Sequence, residues 1–304
     1  MKRNLVAGIV GAAMLASVLA GCSTSSSQGG ASEKASDAAL SVSTDASASD
    51  TKASDAPDAA NAEDGRTKLT VGFDAEFPPY GYRNDQGEYT GFDLELAQAV
   101  CEMEGWELVK QPIDWEAKDA ELSSGAIDCI WNGFTVTGRE NLYTWTVPYV
   151  DNSIVYVVAT DSGITKADDL QGKIVAVQKD SSALAALNEE ENQALKESFG
   201  SLTEYADYNT AFMDLEAGSV ECVALDIGVA KYQVSSRGDG FVILDDKLST
   251  EQYAVGFMLG NESLRDAVQA DLIKLYQDGT VEKLAENYAD YGLKDSLCLG
   301  EYIQ

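Results

Sequence analysis

Four stretches of the chain place polar residues directly after a short apolar run. They are Asp74, residues 131–135, residues 178–182 and Asp226. Runs of this length and composition are typical of buried strands. In open α/β sheets, ligands bind beyond the carboxyl ends of the strands. The pattern therefore predicts a single binding site assembled from four separated segments.

The chain contains no histidine. Ser-His-Asp and Cys-His nucleophilic mechanisms both need an imidazole, and most zinc sites include one. These mechanisms and the common histidine-containing zinc sites are excluded.

Two blocks of sequence each begin with a strand and continue into a helix. In the first, apolar residues alternate up to Asp74, and a helical repeat runs from Phe92 to Met103 before Gly105. A short helix near residues 119–124 and a strand at 127–131 follow. The order restarts at Lys173, with a strand at 174–177, a further helix, a helix at 212–217 and a strand at 220–225. Strands alternating with helices predict an α/β fold with parallel sheets in two lobes.

The N-terminus carries the signals of a secreted lipoprotein. A charged start and an apolar run too short to span a bilayer predict a signal peptide over residues 1–21. The run ends Leu19-Ala20-Gly21-Cys22, which resembles a lipobox and predicts a lipid on Cys22. Residues 22–66 are rich in Ser, Ala and Asp, which predicts a disordered tether. We expect an extracytoplasmic protein anchored to the cell membrane, on the periplasmic side or the outer cell surface.

Charge and cysteine content limit the partners further. The formal net charge is −30, and an acidic surface repels phosphate backbones, so we expect no nucleic-acid partner. Beyond Cys22, four widely spaced cysteines at 101, 129, 222 and 298 form no CxxC motif. A Cys101–Cys129 bridge and buried free thiols both remain open.

A series of short motifs resembles the amino-acid-binding proteins of ABC importers, the family 3 solute-binding proteins. The motifs span nearly the whole region after the tether, in the family's order. They are Val71-Gly72-Phe73-Asp74, Phe77-Pro78-Pro79-Tyr80, Gly91-Phe92-Asp93-Leu94-Glu95-Leu96-Ala97, Gly133-Phe134-Thr135-Val136-Thr137, Pro148-Tyr149, Asp168-Asp169-Leu170-Gln171-Gly172-Lys173, Tyr253-Ala254-Val255-Gly256-Phe257 and Asp278-Gly279-Thr280.

This resemblance implies a type II periplasmic-binding-protein fold in which the chain crosses twice between two α/β lobes. The crossings should fall near residues 149–153 and 249–253. Lobe I would then be discontinuous, over residues 67–150 and 253–304, with lobe II over 151–252. Hinge bending between the lobes would trap the ligand.

The resemblance also implies which residues hold a free L-amino acid. Arg139 matches the carboxylate clamp, although one residue separates it from Thr137 where the family usually has two. A surface arginine is the alternative. Asp226 matches the ammonium-binding aspartate, with a helix cap as its alternative. Thr135 and the carbonyl of Gly133 would share the ammonium. Ser181 and Ser182 would offer backbone N–H groups, or simply cap a helix.

Aromatic residues are expected to form the walls of the site. Phe77 and Trp115 match positions that pack over the ligand, whereas Trp131 and Tyr80 are weaker candidates and Trp131 favours a core position. Asp74 and Gln178 lie where relatives distinguish the ligand's side chain.

The expected partners are a free L-amino acid and the permease subunits of an ABC transporter, with the protein acting as a monomer. The resemblance implies a binding protein that is not an enzyme and that carries neither a metal nor a cofactor. Two other functions remain open at this point. Some dehydratases and lyases share this fold, and Glu76 or Asp74 could nominally act as a general base. A sensor component read by a receptor is the other alternative.

Overall fold

The computed structural model of the protein describes residues 65–303. The predicted signal peptide, Cys22 and nearly all of the tether lie outside these residues. No helix within the described part of the chain is both long and apolar enough to span a bilayer.

Thirteen strands and eight α-helices make up the described residues. The strands are β1 (Lys68–Phe73), β2 (Glu76–Phe77), β3 (Gly81–Arg83), β4 (Tyr89–Thr90), β5 (Glu107–Pro112), β6 (Cys129–Ile130), β7 (Thr144–Trp145), β8 (Val150–Ala159), β9 (Ile174–Gln178), β10 (Ser201–Tyr205), β11 (Cys222–Asp226), β12 (Phe241–Tyr253) and β13 (Gly256–Phe257). The helices are α1 (Phe92–Glu104), α2 (Lys118–Ser124), α3 (Ser182–Asn188), α4 (Gln193–Ser198), α5 (Tyr208–Glu216), α6 (Ile227–Arg237), α7 (Glu262–Gln277) and α8 (Thr280–Glu286).

Two five-stranded sheets have the same internal plan. The first has the order β5-β1-β6-β13-β7 and the second β10-β9-β11-β8-β12. In each sheet the first three strands are parallel and the last two pairings are antiparallel. We call the parts of the molecule built on them the first half and the second half. A small sheet, β2-β3-β4, belongs to the first half. The prediction of an α/β fold with two sheets, each containing parallel strands, is confirmed.

The long strands β8 and β12 pair antiparallel and join the two halves. Their register places Asn152 opposite Glu251 and Val150 opposite Tyr253. Thr135 of the first half forms a further bridge with Tyr253. These strands cover both predicted crossings. The exact lobe boundaries, residues 67–150 and 253–304 against 151–252, remain a prediction.

The predicted helices and strands are present, with shifted ends. α1 ends at Gly105, whose left-handed backbone caps it as predicted. α5 begins at Tyr208 rather than Phe212 because the Asp207 side chain accepts from the Thr210 N–H and caps the helix earlier. β6 has two residues, Cys129 and Ile130, so the predicted strand over 127–131 was too long.

Apolar residues fill both halves and the layer between sheets and helices. One cluster extends from β1 and α1 through β11 to α7, and a second fills the outer side of the second sheet. Four cysteines lie within the described residues, and all four are buried free thiols, which decides against a Cys101–Cys129 bridge.

The two halves approach closely where α6 faces Tyr80. A Cβ placed on Gly228 would lie 2.5 Å from the Tyr80 hydroxyl oxygen. Only a residue without a side chain fits there while Tyr80 keeps its position.

Candidate functional site

A cavity lies between the two halves, at the strand ends that the sequence indicated. All ten predicted ligand-binding residues line it, together with Asn132, which lies in the predicted segment 131–135 but was not singled out. The lining residues are Asp74, Phe77, Trp115, Asn132, Gly133, Thr135, Arg139, Gln178, Ser181, Ser182 and Asp226.

The halves are closed around this cavity. Its volume is about 20 Å³, which is about the space of one water molecule. An open groove of about 1190 Å³ lies beside it and shares Arg139, Ser181 and Ser182 as lining residues. A free amino acid is larger than this cavity.

Arg139 presents its guanidinium to the cavity from the first half. Nη1 donates to the Thr135 carbonyl at 3.3 Å, and Nη2 donates to the Asp180 carbonyl at 3.2 Å across the cleft. The guanidinium also lies 5.5 Å from the ring of Phe134. Its partners are carbonyl groups rather than carboxylates, so its charge remains available to an anion. The shorter spacing after Thr137 does not move Arg139 away from the cavity.

Asp226 presents a carboxylate from the opposite half, at the end of β11, and is 2% exposed. Oδ1 accepts from Asn152 Nδ2 at 2.8 Å and from the Tyr253 hydroxyl. Asp226 precedes α6, but its side chain makes no cap hydrogen bond to that helix. Burial raises the pKa of Asp226 above its usual range, and the nearby Glu251 carboxylate raises it further.

Thr135 and Gly133 lie in the loop after β6. The backbone of Gly133 has φ 55°, and a Cβ there would lie 2.9 Å from the Phe77 ring. A glycine satisfies both conditions. The Gly133 N–H donates to Asp93 Oδ2 at 2.5 Å, and this buried carboxylate fixes the loop at the cavity edge. Burial raises the pKa of Asp93 to about 7, against the opposing effect of the hydrogen bond from Gly133.

Ser181 and Ser182 begin α3 in the second half. The Ser181 hydroxyl accepts from the Leu184 N–H at 3.1 Å, so Ser181 caps the helix, which is the alternative that the sequence left open. The backbone N–H of Ser181 donates to the Gln178 carbonyl at 3.4 Å, which is a long hydrogen bond. The Ser182 hydroxyl donates to Glu251 at 3.1 Å.

Asp74 and Gln178 meet across the cavity. Gln178 Nε2 donates to Asp74 Oδ2 at 2.7 Å, and the Asn132 Oδ1 atom accepts from the Asp74 N–H. Burial raises the pKa of Asp74 to about 6. Asn132 Nδ2 has no hydrogen-bond partner among residues 65–303. An unpaired buried donor in the cavity wall favours a ligand with an acceptor.

Phe77 and Trp115 form aromatic walls of the cavity, as the resemblance implied. Trp131 is fully buried and does not line the cavity, which agrees with its predicted core position. Tyr80 also lies outside the lining and packs edge-on against Tyr253, with ring centroids 5.2 Å apart.

Asp180 connects the halves at the rim. Its backbone is left-handed, with φ 54°. The Asp180 carbonyl accepts from Arg139 and from Trp115 Nε1 at 3.2 Å each, and its carboxylate pairs with Lys118. Lys118 is buried, and its ammonium lies 5.1 Å from the Trp115 ring. These contacts from the first half must break when the halves separate.

The sequence did not single out Asn152 and Glu251, which lie where the two crossing strands meet the cavity. Glu251 Oε1 accepts from Thr135 Oγ1 and Asn152 Nδ2, at 2.7 Å each. Both residues fall inside predicted crossings, and a polar residue in such a segment is a usable signal. Within residues 65–303, no group of three or more Cys, Asp and Glu side chains could hold a metal ion.

Two α/β halves closed on a polar cleft define a solute-binding protein of the type II periplasmic class. Residues 69–291 match the bacterial extracellular solute-binding proteins, family 3, and the chain belongs to this family.

The relatives of this chain include proteins named for amino-acid binding. The L-cystine-binding protein TcyJ of Escherichia coli (strain K12) is 29% identical over 226 residues, 73% of this chain and 83% of that protein. The arginine-binding extracellular protein ArtP of Bacillus subtilis (strain 168) is 29% identical over 230 residues, 74% of this chain and 88% of that protein. A substrate-binding protein of an ABC uptake transporter from Streptococcus pneumoniae, solved with bound histidine, superposes with a TM-score of 0.70. It is 33% identical, and the match covers 73% of this chain and 92% of that one.

Proposed function

We propose that this protein captures a free L-amino acid between its halves and delivers it to the permease of an ABC transporter. The observation that carries the proposal is the placement of Arg139 and Asp226 on opposite halves of one cavity. A zwitterion needs a cation for its carboxylate and an anion for its ammonium, and this cavity offers one on each side.

The ligand would bridge the two halves. Its carboxylate binds the two-pronged guanidinium of Arg139, which suits a planar anion. Its ammonium binds Asp226, with Thr135 and the Gly133 carbonyl as further acceptors. Because each charge faces its partner in a site closed to water, the closed state gains stability from the ligand.

Lobe movement is part of this proposal. Residues 67–150 and 253–304 would move as one lobe and residues 151–252 as the other, with β8 and β12 as hinges. The relatives support the ligand class, since their names and titles record binding of cystine, arginine and histidine.

A calorimetric and thermal-shift screen of the protein residues 67–304 against the common L-amino acids tests the proposal. We expect at least one L-amino acid to raise the melting temperature, while its D-enantiomer does not. Mass spectrometry of the material released on denaturation should return that amino acid unchanged. No stabilisation by any amino acid would contradict the proposal, and a chemically altered product would favour catalysis.

We also propose that Cys22 carries the lipid that holds the protein at the membrane. The support is the motif directly after the apolar run. Labelled palmitate should enter the full chain and not the Cys22→Ala variant, which should leave the membrane fraction. Equal labelling of both chains would contradict the anchor.

A further inference from the structure

Glu251 lies at the base of the cleft and has no role in the binding scheme above. It is 7% exposed and lines the groove beside the cavity. Its Oε1 atom accepts from Thr135 Oγ1 at 2.7 Å and from Ser182 Oγ at 3.1 Å. Both hydroxyls belong to cavity-lining residues, one from each half. A buried carboxylate is therefore in direct contact with the site.

Asn152 joins this carboxylate to Asp226. Its Nδ2 atom donates to Asp226 Oδ1 at 2.8 Å and to Glu251 Oε1 at 2.7 Å. Two carboxylates thus contact the same nitrogen. Asn152 is 4% exposed, and its Oδ1 atom has no hydrogen-bond partner within residues 65–303. Three acceptor groups meet here, and one of them, Asn152 Oδ1, lacks a donor within the described residues, which points to a donor on the ligand.

Asp226 and Glu251 have little positive charge around them. Arg139 is the cation that acts on Glu251. Three phenols, Tyr80, Tyr208 and Tyr253, surround the pair, and burial raises each of their pKa values well above 10, so all three are neutral. With Asp74 also lining the cavity, the site holds three buried carboxylates against one guanidinium.

We propose that Asp226 and Glu251 form a two-carboxylate receptor for the ligand's ammonium group, in which one carboxyl group is protonated when the site is empty and releases its proton to solvent on binding. This inference rests on the proposed function and adds Glu251 as a specificity-determining residue. Burial raises the pKa of both carboxylates, and the charge of Glu251 raises that of Asp226 further. The positive charge of a bound ammonium group stabilises both carboxylates in their ionised form, so the proton is released.

A consequence for ligand choice follows. A neutral or basic amino acid supplies positive charge to the three carboxylates. An acidic amino acid adds, beyond its α-carboxylate, a further negative group to a buried site that already has an excess, and like charges in low dielectric repel strongly. The ligand class is therefore neutral or basic L-amino acids, and aspartate and glutamate are rejected.

Calorimetry on the unmodified protein gives the first test. L-Arginine, L-glutamine and L-glutamate are titrated at pH 7 in phosphate and in Tris, whose ionisation enthalpies differ. The ligand identified in the amino-acid screen is added if it is none of these. We expect about 0.5 to 1 proton released per bound ligand, and L-glutamate at least about 100-fold weaker than the ligand that binds best. Zero proton release, or tight L-glutamate binding, would overturn the inference.

The Glu251→Gln variant gives the second test, because glutamine keeps the shape and the Oε1 acceptor while removing the charge. We expect proton release to fall below about 0.2 and the discrimination against L-glutamate to fall about tenfold or more. Glu204→Gln, which removes an exposed charge from β10 of the same half, is the matched control and should behave as the parent.

The outcomes separate the two proposals. If neither the parent protein nor Glu204→Gln binds any amino acid, the proposed function fails. If both bind and Glu251→Gln has the same proton count and ligand ranking as the parent, only the role of Glu251 fails. The proton count of the parent protein needs no variant, so the inference stays testable even if Glu251→Gln does not fold.

Discussion

Two buried aspartates, one in each half of the molecule, differ in what their carboxylates contact. Asp93 of the first half is 0% exposed and accepts from the backbone N–H of Gly133. Asp226 of the second half is 2% exposed and lines the cavity. Burial raises the pKa of both. Burial and a raised pKa therefore do not distinguish a binding carboxylate from a positioning one, whereas access to the cavity does.

The difference also shows how the site is constructed. In the first half, a buried carboxylate holds a loop so that Thr135 and Arg139 reach the cavity. In the second half, the carboxylate itself reaches the cavity, and Asn152 and Tyr253 of the crossing strands hold it in place. Substituting the first aspartate should change stability, and substituting the second should change binding.

Asp226→Asn should have the largest effect on binding. It removes the anion that faces the ligand's ammonium, and we expect a loss of about 2 to 5 kcal/mol in binding free energy. Calorimetry measures the loss, and Asp245→Asn on the exposed side of β12 is the control. An affinity within threefold of the parent would remove Asp226 from the site.

Asp93→Asn should change the pH dependence of stability instead. The pKa of Asp93 is about 7 in the folded protein and about 3.9 when unfolded. Between these values the folded state binds more protons, so its stability decreases as pH rises. Between pH 5 and pH 8, the unfolding free energy of the parent should decrease by about 2 to 3 kcal/mol more than that of the variant.

Urea unfolding at the two pH values measures this difference, with the exposed Asp85→Asn as the control. Binding by Asp93→Asn should remain within about tenfold of the parent, a change of 1.4 kcal/mol or less. A variant with normal pH dependence and abolished binding would reverse the assignment of the two aspartates.

Arg139→Lys tests the cation of the first half. Lysine keeps the charge but loses the fork that binds a carboxylate through two parallel hydrogen bonds, and we expect a loss of about 1.5 to 3 kcal/mol. Isothermal titration measures it, and Arg83→Lys on β3 is the control. Unchanged affinity would mean that the ligand's carboxylate binds elsewhere.

Lys118→Met should have the smallest effect. Methionine fills the buried space and leaves only the half-exposed Asp180 side chain without its partner. Closure then loses one contact between the halves, and we expect affinity to fall by about 0.5 to 1 kcal/mol with the melting temperature nearly unchanged. Lys179→Met, which breaks the exposed pair with Glu116, should have no measurable effect.

Much of the fold and the cleft lining could be predicted from the sequence. Asp74, Gln178 and Asp226 are visible because each ends an apolar strand, and strand ends of parallel sheets converge on one edge. Arg139 came only from resemblance to a family. The motifs quoted from the sequence could supply both the lobes and the candidate residues.

Glu251 and Asn152 could not be found in the same way. Each lies within a long strand, where alternation assigns polar residues to one face without showing whether that face meets water or a cleft. The closeness of Asp180 to Lys118 depends on how far the halves close, which no local pattern contains. The thiols were undecided for the same reason, since pairing depends on tertiary distance.

Because Gly228 contacts Tyr80 across the cleft, the size of the side chain at position 228 limits how closely the two halves can approach. An alanine at this position would hold the halves slightly further apart, and larger side chains would increase the separation in steps. Substitutions at position 228 would therefore change the width of the cleft without changing any residue that lines the cavity.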